Sequence, residues 1–420
     1  MNFRRALYLI SSLPLLAGCQ ATKPVPAMRS TLSLAETQAT LLLREVPAAQ
    51  ASRPAPAGKP PLVSPRTLDA QGNLVLVPAR DWTSGFFPGY LWLLSEATGH
   101  ASWQAPARAY TANIEGEKTN GTTHDMGFKV YCSFGTGYRY TQDPAYKEVL
   151  LASARTLSTR FNPVIGAIRS WDHHQDVWGF PVIIDNMLNL ELLFAATRLS
   201  GDSSFYKIAV QHANTTLRNH FRPDYSTYHV VDYSPANGAV VTRTTHQGAA
   251  PESAWARGQG WALYGYTMCY RETGNPAYLA QAERVADYLL RHPNLPADGV
   301  PYWDFNAPNI PNEPRDASAG AVMASALYEL STYSQQGAAY RAQADKTLAS
   351  LAQNYAAPAG TNHGFLLLHS TGSKPAGSEI DVPLSYADYY FMEALVRQQH
   401  LAAGREVVAG ARVVGAKSKP

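Results

Sequence analysis

Five segments of this chain repeat one plan: TGHASWQAPARAY, TQDPAYKEVLLASARTL, SGDSSFYKIAVQHANTTL, TGNPAYLAQAERVADYLL and QGAAYRAQADKTLASLA. Each opens on a turn and a small polar cap, sets an aromatic residue (Trp103, Tyr146, Tyr206, Tyr278, Tyr340) early, and continues with alanines at helical spacing. Alanines let helices approach closely, and the charges on the opposite face suit solvent. The stretch STLSLAETQATLLLREV, helical in spacing over 31–46, supplies a sixth member. Between these run segments of another kind, at 85–97, 124–139, 183–198, 256–272, 318–333 and 384–400, apolar on every side. A helix apolar all round is buried all round. Six outer and six inner helices in alternation predict an all-α fold, an (α/α)6 barrel of αα hairpins. An open α-solenoid is the alternative, but the unequal repeat spacing argues against a regular array.

The ends are read differently. MNFRRALYLISSLPLLAGC has a charged start and an apolar run too short to span a membrane, so residues 1–18 read as a signal peptide. LAGC resembles the bacterial lipobox, which implies cleavage before Cys19 and lipidation of its sulfur; a plain signal peptide with a chance cysteine is the alternative. Gln20 then favours the outer membrane, facing the periplasm. Residues 19–66 are expected to be a lipid-anchored tether, Pro- and Ala-rich at 20–29 and 47–66, whose one helix joins the barrel. The catalytic domain is expected over 67–402, and a flexible Ala-, Gly- and Lys-rich tail over 403–420. Removing the leader takes two arginines and no acid, so the formal net charge falls from +3 to +1. That balance gives no electrostatic case for a nucleic-acid partner. The membrane is reached only through the anchor, and a monomer is expected. Cys132 and Cys269 lie in apolar helical stretches and read as buried free thiols.

What precedes the inner helices carries the chemistry. The clusters are DWTSGFFPGYLW (81–92), THDMGF (123–128), SWDHHQDVWGFPVIIDNML (170–188), HQGAAPESAWARGQGW (246–261), YWDFNAPNIPNEPRDASAG (302–320) and HSTGSKPAGSEIDVPLSYADYY (369–390). In such a barrel all inner helices start at one rim, so these clusters converge on one cavity. Aromatic faces stack on sugar rings, and paired acids suit glycoside chemistry. The single prominent arginine, Arg257, can fork onto a carboxylate, or can serve as a structural ion pair. Asp185 stands at the start of an apolar helix, either as an N-cap or as a catalytic acid. DHHQD (172–176) looks like metal ligands but lacks the His-x-x-x-His spacing, and no phosphate loop or nucleophile elbow is present.

HDMGF, DNMLNLELL, HQG followed by WARGQGW, and GSEIDVPLSYADYYFMEAL resemble the unsaturated glucuronyl hydrolases, glycoside hydrolase family 88, from about residue 80 to 400. The resemblance implies an (α/α)6 barrel that acts on unsaturated uronic-acid oligosaccharides left by polysaccharide lyases. It implies hydration of the C4=C5 double bond with no metal or cofactor. It further implies that Asp185 is the general acid/base and Asp125 the second catalytic carboxylate. Substrate-binding positions would be His124, Trp82, Trp171, His229, Gln247, Trp255, Arg257 and Trp261. Ser373 and Lys374 would face the leaving sugar, within reach of a sulfate, although the loop's spacing differs from that of sulfate-preferring members. HDMGF is shared with the unsaturated rhamnogalacturonyl hydrolases, which are the alternative enzyme reading. A non-catalytic glycan-binding lipoprotein is the other, against which the pair Asp125 and Asp185 argues.

Overall fold

The computed structural model describes residues 26–408; the leader, Cys19 and the last residues of the tail lie outside them. Twelve α-helices alternate in two layers among the described residues. The inner layer is α2 (Phe86–Thr98), a π-helical segment (Gly127–Gly135) that runs into α4 (Thr136–Thr141), α6 (Asn186–Ser200), α8 (Ala256–Thr273), α10 (Ala317–Leu330) and α12 (Ser385–Ala402). Each packs on the next, and α12 packs on α2, so the ring closes. The outer layer is α1 (Pro26–Ser52), α3 (Gln104–Ala112), α5 (Pro144–Ser158), α7 (Ser203–Asn219), α9 (Pro276–Arg291) and α11 (Gly337–Ser350). Three of the five repeats are capped as their sequence suggests, while α3 and α11 have no side-chain cap. Asp143, Asp202 and Asn275 each accept the backbone N–H two residues on, and Pro144 and Pro276 occupy the first helical position.

Three stretches differ from expectation. Helix α1 continues to Ser52 through Pro47, because Ala35, Ala39, Leu42 and Val46 bury one face on the barrel. Gln38 fixes it further, donating to the carbonyls of Phe365 (2.8 Å) and Thr361 (3.0 Å). Next, the supposed linker contains β1 (Leu62–Leu68), which pairs antiparallel with β2 (Leu74–Pro78). Finally, residues 403–408 turn back on the barrel: Arg405 N–H donates to the His400 carbonyl (2.8 Å), and Val407 is buried.

The rim carries further short strands that helix counting does not register. They are β3 (Phe161–Asn162), β4 (Ala167–Ile168), β5 (Pro181–Ile183), β6 (Val230–Tyr233), β7 (Val240–Thr244), β8 (Ser370–Ser373) and β9 (Ser378–Val382). Strands β5, β6 and β7 form one antiparallel sheet, and β8 and β9 a hairpin. The helix expected from residue 183 therefore starts at Asn186, since the β-branched Val182 and Ile183 extend as strand first and a turn follows. Cys132 and Cys269 are free and buried.

Candidate active site

Backbone pairing across the rim sets the candidate side chains. Thr123 bridges Trp171, and His124 N–H donates to the Ser170 carbonyl (3.1 Å). Ser170 Oγ in turn accepts Ile183 N–H (2.9 Å), and Ile184 N–H donates to the His229 carbonyl (3.0 Å). These links set His124 and Asp125, Trp171, Asp185 and His229 side by side although they are far apart in sequence. Gly127 permits the approach beneath them, since a Cβ there would lie 2.5 Å from the Asn189 Cα. Asn189 Oδ1 accepts Phe128 N–H (3.0 Å) at the same contact.

Around them opens a cavity of about 660 Å³ whose wall includes Trp82, His124, Asp125, Trp171, Asp185, Gln247, Trp255, Arg257 and Ser373. Asp185 begins α6 in helical geometry and makes no side-chain capping bond. It is 8% exposed, and its Oδ2 has no hydrogen-bond partner. Burial raises its carboxyl to about 6, against the pull of His124 and Arg257 and with help from Asp125. Asp125 goes the other way. Burial would raise it too, but His124 Nε2 at 3.2 Å and the Thr123 hydroxyl at 2.5 Å hold it below the usual carboxylate range. Two acids in one cavity are thereby separated into a proton carrier and a standing charge.

His229 supports the first of these. Its Nδ1 accepts N–H from both His246 and Gln247, each at 3.2 Å, so the proton of the neutral ring sits on Nε2. That Nε2 lies 3.6 Å from Asp185 Oδ2. Burial, followed by the charges of His246 and Arg257, pushes the imidazole well below its ordinary value, so it stays neutral. Trp255 packs on its ring with centroids 4.4 Å apart.

Three sequence candidates are placed elsewhere than expected. The terminal nitrogens of Arg257 are committed to Asp316 Oδ2, the Thr371 carbonyl and the Gly372 carbonyl, each at 2.7 Å. Its Nε is without a partner, so the Nε edge is what Arg257 can offer the cavity it lines. Trp261 is fully buried one layer down, against Phe128 and Tyr390, because α8 turns that face into the barrel core. Lys374 turns away from the cavity onto a buried pair: its Nζ bonds Glu313 and lies over the Trp303 ring (5.5 Å).

Residues that the sequence reading missed also build the wall. Arg66 of β1 bridges Glu379 (2.6 and 3.0 Å) and Asp81 (2.9 Å), tying the first hairpin to β9. Tyr386 stacks near Trp82, with centroids 4.9 Å apart. Asp316 both caps α10 and anchors Arg257. Arg66 lay in a stretch whose proline content reads as linker, and Asp316 carried only a capping signal.

No family profile matches the chain. An unsaturated glucuronyl hydrolase of Formosa agariphila is 54% identical over 342 residues, covering 80% of this chain and 85% of the relative. An unsaturated chondroitin disaccharide hydrolase of Streptococcus pyogenes is 30% identical over 341 residues, covering 80% and 84%. Among solved structures, an unsaturated glucuronyl hydrolase specific for heparin superposes with a TM-score of 0.83 at 43% identity, covering 91% of this chain and 99% of that one.

Proposed function

The chain belongs to the unsaturated glucuronyl hydrolases, and from that premise we propose how its own residues release a 4,5-unsaturated glucuronyl residue from glycosaminoglycan-type oligosaccharides. The observation that carries the proposal is Asp185: buried, uncapped, without a bonded partner on Oδ2, and raised to about 6 in the wall of the rim cavity. A carboxyl in that state donates a proton near neutral pH. Asp185 protonates C4 of the terminal sugar, and its carboxylate then takes a proton from the water that adds at C5. The C5 hemiketal opens to a ketone, which leaves a hemiacetal at C1 that expels the leaving sugar. Asp125 stays ionised and stabilises positive charge as it develops at C5. The neutral Nε2–H of His229 steadies the Asp185 carboxylate once its proton has gone. Trp82, Trp171, Trp255, His124 and Gln247 line the bound sugar, while Arg257 holds the β8–β9 wall rather than gripping the substrate. Trp261 supports the site from below.

The test is direct. Chondroitin and heparin disaccharides made by lyases carry a conjugated enoate that absorbs in the ultraviolet. The protein is expected to remove that absorbance and to release the second sugar. Folded protein that leaves every such disaccharide intact refutes the reading.

The reading extends to location. The leader and the LAGC box support a lipoprotein anchored through Cys19 to the periplasmic face of the outer membrane. Labelled palmitate should enter the wild-type chain and not Cys19→Ala; equal labelling of both contradicts it.

A further inference from the structure

Beside the mouth of the cavity lies a loop that the reaction does not use. Residues 172–178, DHHQDVW, leave the site after Trp171 and turn back at Trp178. The first of their two acids is an anchor: Asp172 accepts two bonds from Arg160 at 2.9 Å each and lies 3.4 Å from Arg169. Val177 and Trp178 N–H both donate to the His174 carbonyl (3.0 and 2.9 Å), which closes the turn.

What the turn presents is a run of rings. His173 lies parallel to Trp171, with centroids 5.1 Å apart and planes 11° apart, and His174 meets His173 at 4.9 Å. Trp178 and His246 pack on Trp171 at 6.1 and 5.7 Å. Trp171, His173 and His246 are part of the cavity wall, whereas His173 and His174 are also exposed and Trp178 is half-buried. The rings therefore lead from the reacting end of the cavity to solvent. Burial and neighbouring histidines lower His173 and His246 below the ordinary imidazole value, so both offer uncharged faces at pH 7. Asp172 is taken up by Arg160 and Arg169, so what the loop offers beside the cavity is ring faces, which bind a pyranose by stacking.

A terminal uronate must place its unsaturated end at Asp185, so the remainder of the chain leaves through the mouth. We infer that the 172–178 loop is a stacking platform for the pyranose rings of the leaving chain beyond the first, which makes oligosaccharides better substrates than disaccharides. The inference rests on the hydrolase reading above and adds a subsite to it.

The experiment compares kcat/KM for an unsaturated disaccharide and the tetrasaccharide with the same terminal pair. Wild type should favour the tetrasaccharide by about tenfold, the worth of one good ring stack. In His173→Ala that ratio should fall to near one. Trp178→Ala, whose side chain stands outside the cavity wall, should lower it as well, and it serves if His173→Ala does not fold. A wild-type ratio near one, or a ratio kept in both variants, overturns the platform while leaving the hydrolase intact. No turnover of either sugar by wild type overturns the hydrolase reading and the platform together.

Discussion

With its carboxyl at about 6 and no bonded partner on Oδ2, Asp185 is held in the folded protein at a cost in stability. Unfolded, the same group titrates near 3.8. Between those values the folded state binds the proton more tightly, so stability falls as pH rises from about 4 through 6. Asp185→Asn keeps the shape and removes the charge. At pH 7.5 it should therefore be more stable than wild type by on the order of 3 kcal/mol, and at pH 4 the gain should vanish. Urea melts at the two pH values read this directly, and a loss of stability at pH 7.5 contradicts it. Sequence placed Asp185 correctly at a helix start but could not choose between cap and acid, because both put an aspartate at the same position. The choice lies in side-chain geometry: helical backbone angles and no capping bond.

Among the elements, the β8–β9 hairpin decides how the wall is held. Arg257 accounts for two of its fastenings, to the Thr371 and Gly372 carbonyls, and Gln247 for a third, donating to the Gly372 carbonyl (2.9 Å). Arg66 fixes the return strand through Glu379. Removing Arg257 leaves Asp316 buried without its cation, which typically costs about 3–5 kcal/mol. Arg257→Ala should lower the urea midpoint accordingly and raise KM as the wall loosens. Adding Asp316→Asn should recover part of the stability but not KM. Recovery of both would make Arg257 a mere charge partner. The strands themselves were not legible in sequence. They are two to seven residues long, too short to show a period, and β5 finds its partner β6 only across α6 and α7.

Over the whole molecule, the alternation of amphipathic and apolar segments specifies the barrel because each kind of helix has only one layer that satisfies it. That pattern was legible without the structure, and so was the convergence of five of the six pre-helical clusters on one cavity; no residue of 302–320 lines it. Less legible was which cluster members point inward: Trp261 and Lys374 sit in motifs with true wall residues, yet Trp261 faces the barrel core and Lys374 packs on buried Glu313 and Trp303. Far from the rim, α6, α8, α10 and α12 also share a buried network, in which Arg271 bonds Glu191, Glu272 and Glu329, and Arg397 lies 3.1 Å from Glu329. Its charges satisfy one another, which lets an apolar barrel interior contain them. The account as a whole stands on a barrel that buries one acid so that it carries a proton near neutral pH. The pH profile of kcat/KM on an unsaturated disaccharide, for wild type beside Asp185→Asn, tests this most directly. Wild-type activity should fall as pH rises through about 6, and the variant should lose at least about a hundredfold and show no such limb. A wild-type profile flat across that range, or a variant that keeps its rate, would contradict the account.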